Sequence, residues 1–393
     1  MNGNNLKILT ELIKDIPSKP LNITPNSKTE LESLLKEVHK PLTINQNNIS
    51  QLEEIIYEVG MTPLPEVKLN KPKKLILKNF QAPGDIITLT TAVRDLHLAH
   101  PGKYLTDIRT STPEIWEYNP NITKIDDKDL EAEHIQMEYP LIHQSNQGAY
   151  PFIHGFTQFL ESKLGIKIPV TKFAGDIYIA DKEKAWFSAP REILGKDVPY
   201  WVIDAGHKTD YTAKQWGFLN WQTLVTSCPD ITFVQIGHKA HIHPTLVGKN
   251  LINLVGKTDN RQLIRLVYNA FGVVTPCSLP MVLAYSIPPH PRFNRKSRAC
   301  IVIGAGREPN QWQAAPNQQY VHTCGMLPCC DSGGCWRSRV VKLNDGQKHD
   351  ESICFHPVKL MNGETIPLCM KMITPMHIKN LINNYMENYV AKV

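Results

Sequence analysis

Residues 73–97, KKLILKNFQAPGDIITLTTAVRDLH, combine a short apolar run, a turn and an amphipathic segment. The run Leu75–Leu77 is typical of a parallel strand that is covered on both faces. Pro83 and Gly84 then form a turn signal. Apolar residues recur every three to four positions up to Leu96, which predicts a helix that packs back on the sheet. The segment therefore predicts the first βα unit of a Rossmann-type domain.

Asp85 lies where this helix begins, next to Gly84. Ligands of open α/β sheets bind outside the carboxyl ends of the strands, so both residues are candidates for a site. The alternative for Asp85 is a helix N-cap, in which the carboxylate accepts a backbone N–H.

The composition is that of a globular protein with room for two domains, because the chain has 393 residues, 42% of them hydrophobic. The net charge of +6, from 43 basic and 37 acidic residues without a long basic block, favours an anionic ligand over nucleic acid. No apolar run approaches the ~20 residues of a membrane span. Residues 1–5, MNGNN, lack the features of a signal peptide, so we expect a cytoplasmic protein.

Strand and helix patterns alternate after residue 70, which predicts an α/β protein with parallel sheets. We expect an N-terminal helical appendage at 1–70, Rossmann-like domains at 71–197 and 198–374, and a final helix within 375–393. The predicted strands are 73–79, 103–109, 135–139, 199–204, 231–236, 251–254, 272–275 and 299–303, and the predicted helices are 86–100, 111–118, 154–164, 259–270, 280–285 and 376–390.

The order of these elements resembles glycosyltransferase family 9, the ADP-heptose heptosyltransferases, over roughly residues 73–390. The segments that carry the resemblance are GDII at 84–87, KQW at 214–216, DNRQLI at 259–264 and SLPMVLA at 278–284. The resemblance implies a GT-B fold, in which two Rossmann-like domains face a cleft. It also implies an inverting transfer of a sugar with Asp85 as general base.

The resemblance also implies the ligands. We expect a nucleotide-sugar donor, ADP-heptose first, and a glycan or protein acceptor, with no divalent cation required for catalysis. We expect no nucleic acid and no membrane span, and a homo-oligomer is left open.

Lys214 matches the phosphate-contacting lysine of the family and is predicted to open a helix; a solvated lysine is the alternative. In the second domain the family commonly has Asp-Ser/Thr-Gly-x-x-His, whereas this chain has CSLPMV at 277–282. Ser278 keeps a hydroxyl at a predicted helix N-terminus, where a phosphate binds readily, and Met281 lies in the same loop. The change affects the loop that would hold the nucleotide, so it bears on the identity of the donor and not on the fold.

The sequence GAGRE at 304–308 follows a predicted strand, so it lies at the same ligand edge. Gly304, Gly306, Arg307 and Glu308 are therefore candidates for donor binding. Arg307 is expected to pair with a diphosphate oxygen and Glu308 with a ribose or sugar hydroxyl. A structural pair between the two is the alternative.

Two groups of histidines are further candidates for functional residues. His143, in the polar loop 139–150, and His154, just after it, are candidates for the acceptor side, with a solvated loop as the alternative. The motif His238-Lys239-Ala240-His241-Ile242-His243 lacks a nearby carboxylate, so nucleotide-edge or surface histidines are favoured over a metal site.

Six of the nine cysteines lie between residues 324 and 369, and the chain shows no export signal, which favours metal ligands over disulfides. Cys330, Cys335, Cys354 and Cys369, with Cys329 as the alternative to Cys330, are the candidate ligands of a structural Zn or Fe ion. Reduced, unligated cysteines are the other interpretation. The cluster also resembles the cysteine finger of the heptosyltransferases that modify autotransporter adhesins, in which four cysteines hold iron, although the spacing differs.

Two other functions stay open at this point. One is an enzyme of the same fold that uses a different nucleotide-sugar donor. The other is a non-catalytic protein that binds a nucleotide sugar or nucleic acid and carries a metal finger.

Overall fold

The computed structural model describes residues 71–139, 151–186 and 188–390. The appendage predicted at 1–70 and the candidate residue His143 lie outside the described residues. Within these ranges, no helix is both long enough and apolar enough to cross a membrane.

The first half of the described chain contains a three-stranded parallel sheet in the order β2-β1-β3. Its elements are β1 (Lys73–Asn79), α1 (Pro83–Ala99), β2 (Tyr104–Thr110), β3 (Ala132–Gln136), α2 (Gly155–Leu164), α3 (Asp181–Lys184) and α4 (Ala189–Leu194). The helix predicted at 111–118 is wrong: the structure has one 3-10 turn at Pro113–Trp116. Tyr118 follows with a φ of 61°, a left-handed conformation that does not continue a helix.

The second half contains a six-stranded parallel sheet in the order β6-β5-β4-β7-β8-β9. Its elements are β4 (Tyr200–Ile203), α5 (Phe218–Ser227), β5 (Thr232–Gln235), β6 (Leu251–Asn253), α6 (Asn260–Asn269), β7 (Gly272–Pro276), α7 (Leu279–Ser286), β8 (Ala299–Ala305) and β9 (Gln318–His322). The order along the chain reverses between β4 and β7. Sheets of this kind bind ligands in the crevice at such a reversal.

The chain ends with a small antiparallel hairpin and two helices. The hairpin pairs β10 (Pro357–Lys359) with β11 (Thr365–Pro367), and α8 (Leu368–Lys371) and α9 (Pro375–Val390) follow it. Helix α9 packs on α5 and buries Ile378 and Ile382, so the predicted final helix is confirmed.

Helix α1 is buried along most of its length. All its residues from Ile86 to Leu96 are buried, because α2 and α7 both pack against it. One apolar cluster therefore runs from Leu75 in β1 through α1 and α7 to Val302 in β8. Gly175 allows a close approach at this contact, since a Cβ there would lie 2.8 Å from the backbone oxygen of Ile87.

Candidate functional site

Asp85 lies in the first turn of α1, at the carboxyl end of β1. It is the third residue of the helix, not its N-cap, which is Ala82. The Oδ2 atom of Asp85 accepts a hydrogen bond of 3.1 Å from the backbone N–H of Ala82. The carboxylate thus closes the first turn, as the acidic residue of a capping box does, while the residue stays partly exposed.

The surroundings of Asp85 change its acidity. Burial raises the pKa of the Asp85 carboxyl above that of an ordinary aspartate. The hydrogen bond from Ala82, the neighbouring phenol of Tyr139 and the charges of Lys214 and Lys208 oppose this rise. The two lysines belong to the second half of the chain, so the carboxylate faces positive charge across the junction between the halves.

Tyr139 follows β3 and packs beside Asp85. Its ring stacks on Phe156 at 4.0 Å between centroids and contacts Phe152 at 4.7 Å. The phenol oxygen is buried near the side chains of Asp85 and Thr88. Burial and the charge of Asp85 raise the pKa of Tyr139 well above its ordinary value, so the group keeps its proton and is free to donate it.

Lys214 does not open a helix, which corrects the prediction. It ends a 3-10 helix, Thr209–Lys214, and α5 begins only at Phe218. Gly217 has a φ of 94°, a conformation outside the helical region, which separates the two helices. The Nζ atom of Lys214 donates to the carbonyl oxygen of Cys277 at 3.0 Å, so the side chain reaches the edge between β4 and β7.

The carboxylate of Glu308 is buried and fully engaged by side chains. Its Oε1 atom lies 2.8 Å from Lys214 Nζ and also accepts from Arg307 Nη1. Its Oε2 atom accepts from Gln313 Nε2 at 2.5 Å. Burial alone would raise the pKa of Glu308, but the charges of Lys214 and Arg307 hold it at about 2. These contacts favour the structural pair over a hydrogen bond to a sugar hydroxyl.

Arg307 is held in place by more than Glu308. Its Nε atom donates to the carbonyl oxygen of Arg337 at 2.7 Å. The guanidinium lies over the ring of Tyr211, 5.1 Å from its centroid, and Lys214 lies over the same ring at 5.6 Å. Two cations thus lie over Tyr211 and share one carboxylate, Glu308, which leaves a net positive charge among these three side chains.

Ser278 is the N-cap of α7, and its hydroxyl is already partnered. The Oγ atom donates to Asp204 Oδ2 at 2.8 Å and lies 2.8 Å from Thr275 Oγ1. Asp204 follows β4 and Ser278 follows β7, so this network spans the reversal of strand order. Burial raises the pKa of Asp204.

The remaining donor candidates have structural surroundings. Met281 is buried in α7. A Cβ at Gly304 would lie 2.3 Å from the Tyr320 ring, so the ring occupies the space beside this glycine. A Cβ at Gly306 would lie 2.9 Å from Cys330 Sγ, which places Gly306 against the cysteines.

Gly84 and His154 lie at different ends of α1. A Cβ at Gly84 would lie 3.5 Å from Val282 Cγ2, an ordinary contact between α1 and α7. The ring of His154 packs on Phe173 at 4.5 Å, and its pKa, which burial lowers, also responds to the charges of Asp95 and Arg94. Asp95 is ten residues beyond Asp85, about 15 Å along a helix. The structure does not bring His154 to Asp85.

The histidines of the 238–243 loop gather with His207 near Lys208. His207 pairs with Ile242 in an isolated antiparallel bridge. Burial and the neighbouring charges of Lys208 and the other histidines lower the pKa of His241 to about 4, so His241 is neutral at physiological pH.

Four cysteines line one small enclosed cavity: Cys329, Cys335, Cys354 and Cys369. The volume of this cavity is about 10 Å³, near the minimum that holds one water molecule. The thiol of Cys330 is buried nearby and contacts the carbonyl oxygen of Thr323 at 3.5 Å. Among the residues that the structure describes, no three His, Cys, Asp or Glu side chains are already arranged to hold a metal ion.

The sequence matches no protein-family model and no curated protein. Solved structures match it in fold. The E. coli ADP-heptose LPS heptosyltransferase II is 12% identical with a TM-score of 0.50, covering 80% of this chain and 99% of its own. A family 9 glycosyltransferase from Veillonella parvula is 12% identical with a TM-score of 0.55, covering 80% and 97%.

A third matching structure contains iron and a bound nucleotide sugar. It is the dodecameric iron-containing heptosyltransferase TibC of enterotoxigenic E. coli, in complex with ADP-D-β-D-heptose, which is 15% identical with a TM-score of 0.53 and covers 82% of this chain and 78% of its own. The chain has a GT-B fold. Identities this low show the fold alone.

Within the GT-B fold, three site residues were missed by sequence reasoning. Asp204, Lys208 and Tyr139 all come shortly after a strand of a parallel sheet, at its carboxyl edge. That position was the available signal, since ligand edges of α/β sheets collect such residues. This position does not distinguish Asp204, Lys208 and Tyr139 from solvated loop residues. The side chains that they contact lie on distant parts of the sequence.

Proposed function

We propose that this protein is an inverting glycosyltransferase that moves a sugar from a nucleotide donor to a hydroxyl of a glycan or protein. Heptose from ADP-heptose is the donor that we favour. The observation that carries the proposal is the position of Asp85, a partly exposed carboxylate at the carboxyl end of β1 that faces Lys214 and Lys208. The fold shared with heptosyltransferases, one of them bound to ADP-D-β-D-heptose, supports it.

Asp85 acts as the general base. An acceptor hydroxyl is a weak nucleophile, and a carboxylate that takes its proton as the new bond forms contributes about 10²–10⁴ in rate. The hydroxyl oxygen attacks the anomeric carbon, the bond to the diphosphate breaks on the opposite side, and the configuration inverts. The raised pKa of Asp85 makes it a stronger base than an ordinary aspartate.

The second half of the chain receives the leaving group. Negative charge develops on the nucleoside diphosphate, and positive groups that are already in place stabilise it. Lys214 and Arg307 supply this charge, with Glu308 fixing both of their side chains. We expect turnover without an added divalent cation, because the positive charges of Lys214 and Arg307 stabilise the leaving diphosphate in place of a metal ion.

Glu308 is a positioning residue in this proposal. Its two oxygens are occupied by Lys214, Arg307 and Gln313, so it orients the cations and does not contact the donor. Ser278 is likewise engaged with Asp204, and the N–H of Met281 already donates to the Ser278 carbonyl oxygen at 3.1 Å.

We also propose that the cysteine cavity holds one structural Zn or Fe ion. The donor set fits, since four cysteines line one small cavity and thiolates are strong ligands of Zn and Fe. Cys329 lines this cavity and Cys330 does not, so Cys329 is the preferred first ligand. Four thiolates leave no open position for substrate, so the ion would supply a cross-link between the loops around Gly306 and no chemistry.

The experiment that tests the function uses Asp85→Asn in the full chain. The amide oxygen still accepts the Ala82 N–H, so α1 stays closed at its first turn. We expect transfer from ADP-heptose to fall by about 10²-fold or more, while ADP-heptose still raises the melting temperature. Glu133→Gln, an exposed carboxylate on β3, is the matched control and should transfer normally. Unchanged transfer by Asp85→Asn would remove Asp85 from the mechanism.

A different donor is the second candidate. The loop CSLPMV replaces the family pattern, and Pro280 has no backbone N–H to offer a phosphate. A thermal-shift series with ADP-, UDP-, GDP- and CDP-sugars distinguishes the two, because a specific ligand stabilises the native state by mass action. A shift with ADP-heptose alone supports the first candidate.

A further inference from the structure

The proposed transfer gives no role to Trp336, which lies beside Arg307. The centroid of the Trp336 ring is 5.7 Å from the Cζ atom of Arg307, which is within the range of a cation–π contact. The ring of Tyr211 lies 5.1 Å from the same atom. The guanidinium of Arg307 therefore has two aromatic rings as neighbours, one that precedes it in the sequence and one that follows it.

Three hydrogen bonds hold the backbone around Trp336 against Arg307. The N–H of Cys335 donates to the carbonyl oxygen of Gly306 at 3.0 Å, and the N–H of Trp336 donates to the carbonyl oxygen of Arg307 at 3.0 Å. The Nε atom of Arg307 donates in turn to the carbonyl oxygen of Arg337 at 2.7 Å. These bonds fix Trp336 relative to both the backbone and the side chain of Arg307.

The backbone before and at Trp336 is specialised for this contact. A Cβ at Gly334 would lie 2.4 Å from the carbonyl oxygen of Arg307, so a side chain here would push the two segments apart. Trp336 has a φ of 54°, a left-handed conformation that is rare for a residue with a bulky side chain. Such a conformation persists where the surrounding structure determines it, and it occurs most often at functional sites.

Trp312 packs against the ring of Trp336. The two ring centroids are 5.6 Å apart, and the ring planes are nearly perpendicular, at 85°. Trp312 is 3% exposed, and its carbonyl oxygen accepts from the backbone N–H of Phe152 at 2.7 Å. Because Trp312 is buried and its backbone is held, it restricts the orientation of the Trp336 ring.

We propose that Trp336 is a positioning residue that orients the Arg307 guanidinium toward the diphosphate of the donor. The inference rests on the proposed glycosyl transfer, in which Arg307 stabilises the leaving group. Glu308 neutralises part of the charge of Arg307, whereas an aromatic face attracts the guanidinium and carries no net charge. Trp336 thus limits the rotamers of Arg307 and leaves its positive charge for phosphate. Less freedom in the unliganded protein lowers the entropic cost of donor binding.

The first test compares two replacements that keep an apolar side chain at this left-handed position. Trp336→Phe keeps an aromatic face, whereas Trp336→Leu does not. In calorimetric titrations of the full chain with ADP, we expect Trp336→Phe to bind within about threefold of the wild type and Trp336→Leu to bind about tenfold more weakly. Equal binding by Trp336→Leu and the wild type, an equal loss in both variants, or a wild type that does not bind ADP would overturn the proposal.

Tyr118→Leu is the matched control. Tyr118 also has a positive φ, of 61°, and its ring centroid lies 5.4 Å from the Cζ atom of another arginine, Arg261. Arg261 has no part in the proposed transfer, so Tyr118→Leu should bind ADP like the wild type. Elemental analysis should find the same metal content in both Trp336 variants. A loss of metal in Trp336→Leu alone would assign its weaker binding to the cysteine cavity and would overturn the proposal.

Transfer assays separate this inference from the proposed function. With ADP-heptose as donor, Trp336→Leu should raise the donor KM about tenfold and leave the acceptor KM unchanged, and Trp336→Phe should restore the donor KM. If the wild type transfers heptose and Trp336→Leu has the same donor KM, the positioning proposal fails while the function stands. If ADP binds as expected in all variants but no sugar is transferred, the proposed function fails while the positioning of Arg307 stands.

Discussion

Lys214 and Glu308 form an ion pair of 2.8 Å that joins the turn after β4 to the edge of β8. Glu308 is 3% exposed, whereas the Lys214 side chain is about a quarter exposed at 26%. The pair therefore has one end in the protein interior and the other within reach of a ligand, with Arg307 as a second cation on the same carboxylate oxygen.

Replacing Lys214 should affect both stability and donor binding. In Lys214→Met the buried carboxylate keeps Arg307 but loses one charged partner, which should cost about 1–3 kcal/mol of unfolding free energy. Loss of the proposed contact between Lys214 and the donor phosphate should weaken ADP-heptose binding by roughly 10-fold or more. Chemical denaturation and a thermal-shift titration measure the two effects.

A double variant separates these effects. Lys214→Met with Glu308→Gln removes the buried charge as well, so stability should recover while donor binding stays weak. Recovery of both would show that Lys214 acts only through Glu308. Lys208→Met, which removes a cation that does not contact Glu308, is the control for stability.

The raised pKa of Asp85 predicts a pH dependence. In the folded state its carboxyl binds a proton more tightly than in the unfolded chain, where its pKa has the ordinary value of 3.8. Protonated Asp85 is therefore the form that favours folding, and this contribution is present below pH 3.8 and lost as pH rises through the folded pKa. Asp85→Asn mimics the protonated form, so it should melt higher than the wild type at pH 7 but not at pH 3. A higher melting temperature at both values would contradict this explanation.

Tyr139→Phe should move the acid limb of the rate profile. The phenol of Tyr139 lowers the pKa of Asp85, so its removal should shift the acid limb of kcat/KM to higher pH. The free energy of unfolding should change little, because the buried phenol oxygen has no well-aligned hydrogen bond to lose.

Tyr320→Phe is a contrasting control for Tyr139→Phe. The Tyr320 phenol donates to the backbone oxygen of Glu308 at 3.1 Å, so its loss should cost about 1 kcal/mol of unfolding free energy. It should leave the acid limb in place. An acid limb that moves equally in both variants would argue against a specific effect of Tyr139 on Asp85.

The cysteine cavity predicts a metal content. Elemental analysis should find about one Zn or Fe per chain, and Cys335→Ser should lose it and melt lower. Cys228→Ala, which replaces a buried cysteine outside the cavity, should keep the metal. The single variants Cys329→Ser and Cys330→Ser show which of the two cysteines is a ligand. Loss of metal in Cys330→Ser but not in Cys329→Ser would favour Cys330. A folded wild-type protein without metal would refute the site.

The alternation of apolar strands with amphipathic helices was enough to predict the α/β class and most elements. Strands β1, β4, β5, β7 and β8 lie within two residues of their predicted bounds because each contains a run of buried apolar residues. Strand β9, with the sequence QQYVH, has two apolar residues and gave no such signal.

The sequence predicts a residue of the candidate site only when that residue directly follows a predicted strand. Asp85 follows β1 directly, so its place at the sheet edge could be predicted. The ion pair of Glu308 with Lys214 joins residues 94 positions apart, a contact that neither local pattern contains. Arg298 is a second example. It is a buried arginine that donates to five backbone carbonyl oxygens, and the sequence around it does not predict that it is buried or which carbonyls it contacts.

The apolar cluster that joins Leu75 to Val302 affects how the protein unfolds. Because α1 and α7 share this interior, neither half can lose its structure without exposing the other, and a calorimetric scan of the full chain should show a single endotherm. A fragment that ends at residue 197 would leave one side of α1 without its cover and should precipitate. A wide hinge motion between the two halves would likewise have to break this shared interior apart, so the described chain should resist separation of the halves.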